Sequence, residues 1–219
     1  MKVAFNGIIT KSGSNTVYLE AYDAETDMYY GMTVYYGYGL PGAGLNILKV
    51  GNEARIVGTV QYYEAGGTWQ GSGLTYRQMR PDDPEYIQKL SEGHEGAFRL
   101  TTIDTFLNGT VEVEGEEGTV SYPYAQLALS TSVQMNDLQV ISAYTTNDEE
   151  SSSFGAITLT CMVDGQQITV RTGVMLDAAG NLVTQDIYEG QTIDVKGIVD
   201  FYDGMYQIKV FSAKDITIH

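Results

Sequence analysis

The strongest constraint on this fold is a pattern that occurs twice, 139 positions apart: Gly51-Asn-Glu-Ala-Arg-Ile-Val-Gly58-Thr-Val60-Gln-Tyr-Tyr63 and Gly190-Gln-Thr-Ile-Asp-Val-Lys-Gly197-Ile-Val199-Asp-Phe-Tyr202. Each copy is a glycine turn followed by a strand with apolar residues at every second position, interrupted by a glycine and ending on two aromatics. Between Ile47–Tyr63 and Asp186–Tyr202, four of 17 positions are identical. Carried outward, the offset is 140 at Val17/Ile157, 136 at Val34/Val170 and 137 at Trp69/Tyr206, and each change falls in a turn. Duplicated domains behave this way, because loops accept length changes and strand register does not.

The strands around the motif repeat as well. Lys2 to Thr10 is β-rich and ends at the turn cluster Lys11–Asn15; Val17, Leu19 and Ala21 then alternate with Tyr18, Glu20 and Tyr22. After a polar turn, Met32, Val34 and Tyr36 alternate with Gly31, Thr33 and Tyr35, so the pair predicts a hairpin with one wet, tyrosine-rich face. Gly37 to Gly44 reads as a glycine-rich connection, since no helix and no phosphate-loop spacing follows it. Thr68 to Tyr76 is a glycine-interrupted fifth strand, and the parity of Trp69 places it in the core. In the second half, Leu138 to Thr145 matches the first strand, Ile157 to Val163 and Ile168 to Thr172 form a hairpin across Asp164-Gly165, and Tyr206 to Phe211 closes the set before Ile216-Thr-Ile218.

Between the copies the pattern breaks. Pro84 to Leu90 and Thr101 to Gly109 read as short helices, the second capped by a threonine and stopped by glycine, and Tyr122 to Leu129 as a returning strand. The expected organisation is a first barrel over 1–80, a linker over 81–132 and a second barrel over 133–219. The fold class is all-β: two tandem five-stranded Greek-key barrels of OB-fold-like type, joined by a linker with short helices. Closing each barrel removes the free edges, and the mid-strand glycine suits the required coil.

Composition narrows the function. The net charge is −16, and residues 1–80 carry six basic and six acidic side chains, so the whole excess lies beyond residue 80. Such a surface repels phosphate backbones, which makes nucleic acid the less favoured partner. Cys161 is the one cysteine and falls on the apolar parity of its strand, so it reads as a buried, inert thiol. No apolar run approaches a membrane span, and Met1 to Gly7 does not read as a signal peptide.

The stretches Ile47 to Tyr63 and Glu189 to Ile208 resemble tandem OB-fold domains, in particular OB-like modules of exported bacterial proteins and the accessory modules of some extracellular nucleases. The resemblance implies an extracellular or cell-surface setting and covers both repeats but not the linker. OB barrels present the outer face of strands two and three to their ligands. On that face the first repeat carries Tyr18, Tyr22, Tyr29 and Tyr35, where the second has Thr158, Met162 and Arg171 opposite Tyr18, Tyr22 and Tyr35. These four tyrosines are the candidate ligand-binding residues.

No catalytic, metal or cofactor set is read. His94 lies in the linker and His219 is the last residue, while Asp82, Asp83 and Glu85, and Asp148 to Glu150, lack EF-hand spacing and read as solvated turns. Asn108-Gly-Thr110 is a formal glycosylation triplet. The expectation is a non-enzymatic binding or adhesion module engaging a glycan or protein. The alternatives are a single-stranded nucleic-acid-binding accessory module and a structural spacer.

Overall fold

The computed structural model describes residues 1–13, 15–37, 46–64, 67–72, 78, 80–96 and 98–219. Most of the glycine-rich connection from Gly37 to Gly44, and the fifth strand beyond Ser72, lie outside these residues. The chain forms two compact units: Met1–Ala97 with Leu127–Thr131 and Tyr202–Gly204, and Phe98–Gln126 with Ser132–Phe201 and Met205–His219.

In the first unit, β1 (Lys2–Ser12), β2 (Thr16–Asp23), β3 (Met28–Tyr35), β4 (Glu53–Tyr63) and β5 (Thr68–Ser72) are joined in the order β1-β2-β3-β5-β4, and β4 pairs back onto β1. The β3–β5 pairing is parallel and the others are antiparallel, which closes a five-stranded OB-like barrel. Ile9, Val17, Leu19, Val34, Ala54 and Ile56 fill it, the alternate residues that the period of two assigns to one face.

A sixth strand, β6 (Gln88–Ser91), adds to the far edge of β4 and takes the last three residues of the predicted Pro84–Leu90 helix. Residues 80–86 are turns, with Asp83 Oδ1 accepting from the Glu85 amide at 2.8 Å. Helix nucleation is costly for so short a stretch. Strand geometry pairs the backbone with β4 and buries Ile87 completely, an apolar contribution of about 1.5–3 kcal/mol.

The second unit opens with β7 (Arg99–Leu100) and α1 (Ile103–Asn108), the latter matching the Thr101–Gly109 expectation. Thr102 Oγ1 accepts from the Thr105 amide, and the Gly109 amide donates to Thr105 O. A hairpin of β8 (Thr110–Gly115) and β9 (Gly118–Pro123) follows, then a single helical turn, α2 (Tyr124–Leu127), where a strand was expected as far as Leu129.

The second barrel comprises β10 (Ser132–Thr145), β11 (Ala156–Val163), β12 (Gln166–Val174), β13 (Thr192–Tyr202) and β14 (Met205–Val210), in the order β13-β14-β12-β11-β10 with β10 closing onto β13. β15 (Ile216–Ile218) extends the edge of β13 as β6 extends that of β4. The duplicated scaffold therefore includes a sixth strand in each copy. β7 adds to β10 in parallel.

The repeated motif works alike in both copies. Gly51 and Gly190 both take positive φ, +86° and +74°. The following residue's carbonyl then accepts from the first strand: Ile9 N to Asn52 O and Val140 N to Gln191 O, both 2.8 Å. In the second copy the mid-strand glycine is required by contact, because a Cβ on Gly197 would lie 2.6 Å from Lys209 O. Asp164-Gly165 forms the expected tight turn, with φ of +51° and +79° between paired Val163 and Gln166.

Candidate functional site

The register of β2 against β3 sets Thr16, Tyr18, Glu20 and Tyr22 opposite Tyr35, Thr33, Gly31 and Tyr29, all on the barrel's outer face. The four candidate tyrosines therefore share one face, as their parity requires. Their accessibility differs. Tyr18 is only 5% exposed and neighbouring Glu20 is buried too, so the wet face expected from the sequence is sealed at its centre.

The cover is the segment Leu127–Thr131, which belongs to the same compact unit. Thr33 Oγ1 lies 2.7 Å from Ser130 Oγ, and the backbone of Leu129 and Ser130 runs so close over Gly31 that a Cβ there would sit 2.4 Å from the Ser130 carbonyl carbon. Ser130 is itself buried, with φ of +69°. Period-two alternation separates the two faces of a strand but says nothing about which distant segment covers the outer one.

Tyr22, Tyr29 and Tyr35 flank this seal. The Tyr22 and Tyr29 rings meet at 5.1 Å between centroids, and Tyr22 Oη donates to Asp27 Oδ1 at 2.7 Å. That hydrogen bond to a carboxylate is the main reason the Tyr22 phenol holds its proton above the ordinary tyrosine range. Tyr35 is exposed at the opposite end of the face. The equivalent face of the second barrel is polar, with Arg171 donating to Thr158 Oγ1 across the strand pair and to Thr146 Oγ1 at 3.3 Å.

A second aromatic group lies at the end of the β4–β5 hairpin. Tyr62 and Trp69 are paired across the strands, with ring centroids 5.4 Å apart at 60°, in an edge-to-face arrangement. Trp69 is 62% exposed, Tyr62 52% and the adjacent Tyr63 49%. This corrects the core placement of Trp69. Its parity does match Gly71, whose Cβ position faces Met32 and Val34, but the last residues of β4 and the first of β5 run past the barrel's end. Beyond that end, inward parity meets solvent instead of a core.

The second barrel carries a ring pair at the matching positions. Phe201 and Tyr206 meet at 4.8 Å and 62°. The shared motif ends on aromatics in both copies; Tyr202 is as open as Tyr63, but the paired rings Phe201 and Tyr206 are only half-exposed where Tyr62 and Trp69 are open.

The polar clusters do other work. Ser91 Oγ donates to Glu53 Oε2 at 2.7 Å and lies 2.6 Å from His94 Nε2, which is 4.0 Å from the same carboxylate. A nucleophilic serine aims its proton at the imidazole while a carboxylate orients the other ring nitrogen. Here the serine hydroxyl donates its hydrogen bond to the carboxylate instead, which joins β6 to β4. His219 Nε2 sits 3.0 Å from Asp194 Oδ1 at the edge of β13. Asp148 Oδ1 accepts from the Glu150 amide, a turn bond. Among the described residues no three His, Cys, Asp or Glu side chains converge as a metal site. Cys161 is fully buried, and burial pushes its thiol up to about 12.

No family model matches the chain, and no curated protein matches it. Solved structures with some similarity to this chain include a murine DNA-binding protein bound to double-stranded DNA, at 10% identity and a TM-score of 0.38, covering 100% of this chain and 93% of that one. Others are the p204 HINb domain, at 9% identity and 0.35, covering 99% and 96%, and the single-stranded DNA-binding protein of Thermus aquaticus, at 13% and 0.29, covering 100% and 92%. Likeness at this level carries no argument about a ligand; the OB-like assignment rests on the strand order and closure of each barrel.

Proposed function

We propose that the chain is a non-catalytic binding module that holds its ligand by ring stacking on the β4–β5 arm of the first barrel. The observation that carries this reading is the exposed edge-to-face pair Tyr62–Trp69 with Tyr63 beside it. An OB-like barrel uses its strand-two/strand-three face and adjacent loops, including the one between strands four and five, for oligonucleotides and oligosaccharides. Here the centre of that face is taken by Leu127–Thr131, which leaves the arm and the flanking Tyr22, Tyr29 and Tyr35.

Single-stranded nucleic acid is the reading that the fold class and the rings support, since each base stacked on an aromatic contributes about 1–3 kcal/mol without hydrogen-bond readout. A glycan is the second reading, and the charge favours it: 28 acidic against 12 basic side chains repel phosphate but not a neutral sugar. Display outside the cell, as implied by the resemblance to exported OB-like modules, belongs to the same proposal.

Trp69 is the one tryptophan, so its emission reports on the arm directly. A short oligothymidylate and a panel of neutral oligosaccharides, each titrated at low salt, are expected to quench or shift that emission with one class. Calorimetry of the Tyr62→Ala, Trp69→Ala double variant should then show binding weakened at least about tenfold, equal to about 1.4 kcal/mol. Saturable binding that the double variant leaves intact, or silence with both classes, overturns the reading.

A further inference from the structure

Among the described residues the β8–β9 hairpin has no partner strand. Its six residue pairs, from Thr110↔Pro123 to Gly115↔Gly118, form a two-stranded sheet of their own, and among the described residues no other strand pairs with either edge. Isolated two-stranded hairpins are marginal in water, and a third strand or a packed face is what makes them independently stable. The two faces differ in character. Val111, Val113, Val120 and Tyr122 share one side, where Val120 is 46% exposed, and Glu112 and Glu114 are exposed on the other.

The two edges differ as well. β9 ends on Pro123, which has no amide proton to give a ladder, whereas β8 contains no proline. The β8 edge is thus the one able to accept a further strand over its length. Charge decides what that strand can be. Residues 110–123 hold Glu112, Glu114, Glu116 and Glu117 and no lysine or arginine. Pairing with a second copy would set glutamates opposite glutamates, which is destabilising, while each opposite-charge cross-strand pair contributes about 0.2–1 kcal/mol.

We infer that the β8 edge is a docking site for an extended segment of a partner protein in which Lys or Arg alternates with apolar residues. The basic side chains lie over Glu112 and Glu114, the apolar ones continue the face of Val111 and Val113, and the backbone adds as a third strand. The glutamates that keep copies of this chain from joining edge to edge also select the occupant.

The probe is a blocked peptide of alternating lysine and valine, titrated into the full chain by calorimetry and by amide chemical shifts. Saturable binding at low salt is expected, with shifts centred on residues 110–115 and affinity falling as salt rises. The Glu112→Gln, Glu114→Gln double variant changes only exposed side chains and should weaken binding at least about tenfold, or about 1.4 kcal/mol. A peptide N-methylated at alternate residues should lose binding, since it keeps the charge and lacks the amide donors. Absence of saturable binding, shifts confined to other residues, or a double variant that binds as well as the parent each overturns the inference. Equal binding of the N-methylated peptide does so too, because that result is plain attraction of a cation to a chain of net charge −16.

Discussion

Replacing Gly31 with alanine tests whether Leu127–Thr131 is seated on the β2–β3 face as a structural component. The added Cβ would lie 2.4 Å from Ser130 C and 2.7 Å from both Leu129 O and Ser130 O. Carbon atoms pack at about 3.5–4.0 Å, so a displacement of about 1 Å is needed, and all three obstacles are backbone, which no rotamer change relieves. Overpacking of this kind costs about 1–3 kcal/mol. The Thr33–Ser130 hydroxyl pair, 2.7 Å apart, is broken by the same displacement at about 1 kcal/mol. Against this, a Gly→Ala change at a compatible position stabilises by about 0.4–1 kcal/mol through the unfolded chain.

The net expectation is a loss of about 1–3 kcal/mol in urea unfolding of the first unit. It should be accompanied by faster amide exchange at Thr131, whose amide donates to Ala128 O at 3.0 Å. Gly173→Ala is the control, since a Cβ there meets nothing within 4 Å, and it should be neutral or slightly stabilising. The sign decides the matter: a Gly31→Ala protein as stable as the control variant, with unchanged exchange at Thr131, refutes the seating of the segment and with it the burial of Tyr18.

Other outcomes follow from single contacts. The Cys161 thiol, pushed to about 12 by burial, should stay unreactive toward a maleimide in the native protein and react on unfolding; labelling at the rate of a free thiol contradicts its placement. Gly197→Ala forces a Cβ to 2.6 Å from Lys209 O and should destabilise the second barrel by about 1–3 kcal/mol, read by denaturant unfolding against Gly173→Ala. Asp177 has its carboxyl held below the usual range, first by the Asn181 amide and then by the Asn181 side chain. A depressed folded value means that its stabilisation is full above the ordinary Asp pKa and is lost as pH falls through the folded one. Amide protection factors in the 177–181 turn, corrected for the intrinsic pH dependence of exchange, should therefore fall on acidification, and Asp177→Ala should remove that fall.

Strand parity, the turn glycines and the threonine-capped helix could all be read from the chain because each depends on residues a few positions apart. Period-two alternation sorted Val17, Leu19 and Val34 from Tyr18, Tyr22 and Tyr35 correctly, and Gly51 and Gly190 announced turns because few other residues adopt positive φ cheaply. The duplication supplied the two closed barrels, and carried one strand further it would have exposed β6. Ile87 in Tyr86-Ile-Gln-Lys takes the place of Ile216 in Asp215-Ile-Thr-Ile, and both are buried on strand four.

What the tertiary structure alone decided is which faces meet water. Trp69 has inward parity yet is exposed, because β4 and β5 outrun the barrel they close, and strand length relative to the barrel is a property of the whole sheet. Tyr18 has outward parity yet is buried, because a segment more than a hundred residues later in the chain lies over Gly31 and Thr33. Alternation determines the side of the strand on which a residue lies. Only the packing of segments remote in sequence determines whether that side is core, interface or solvent, and so moves the exposed aromatic surface of this protein away from the middle of its tyrosine face toward the β4–β5 arm.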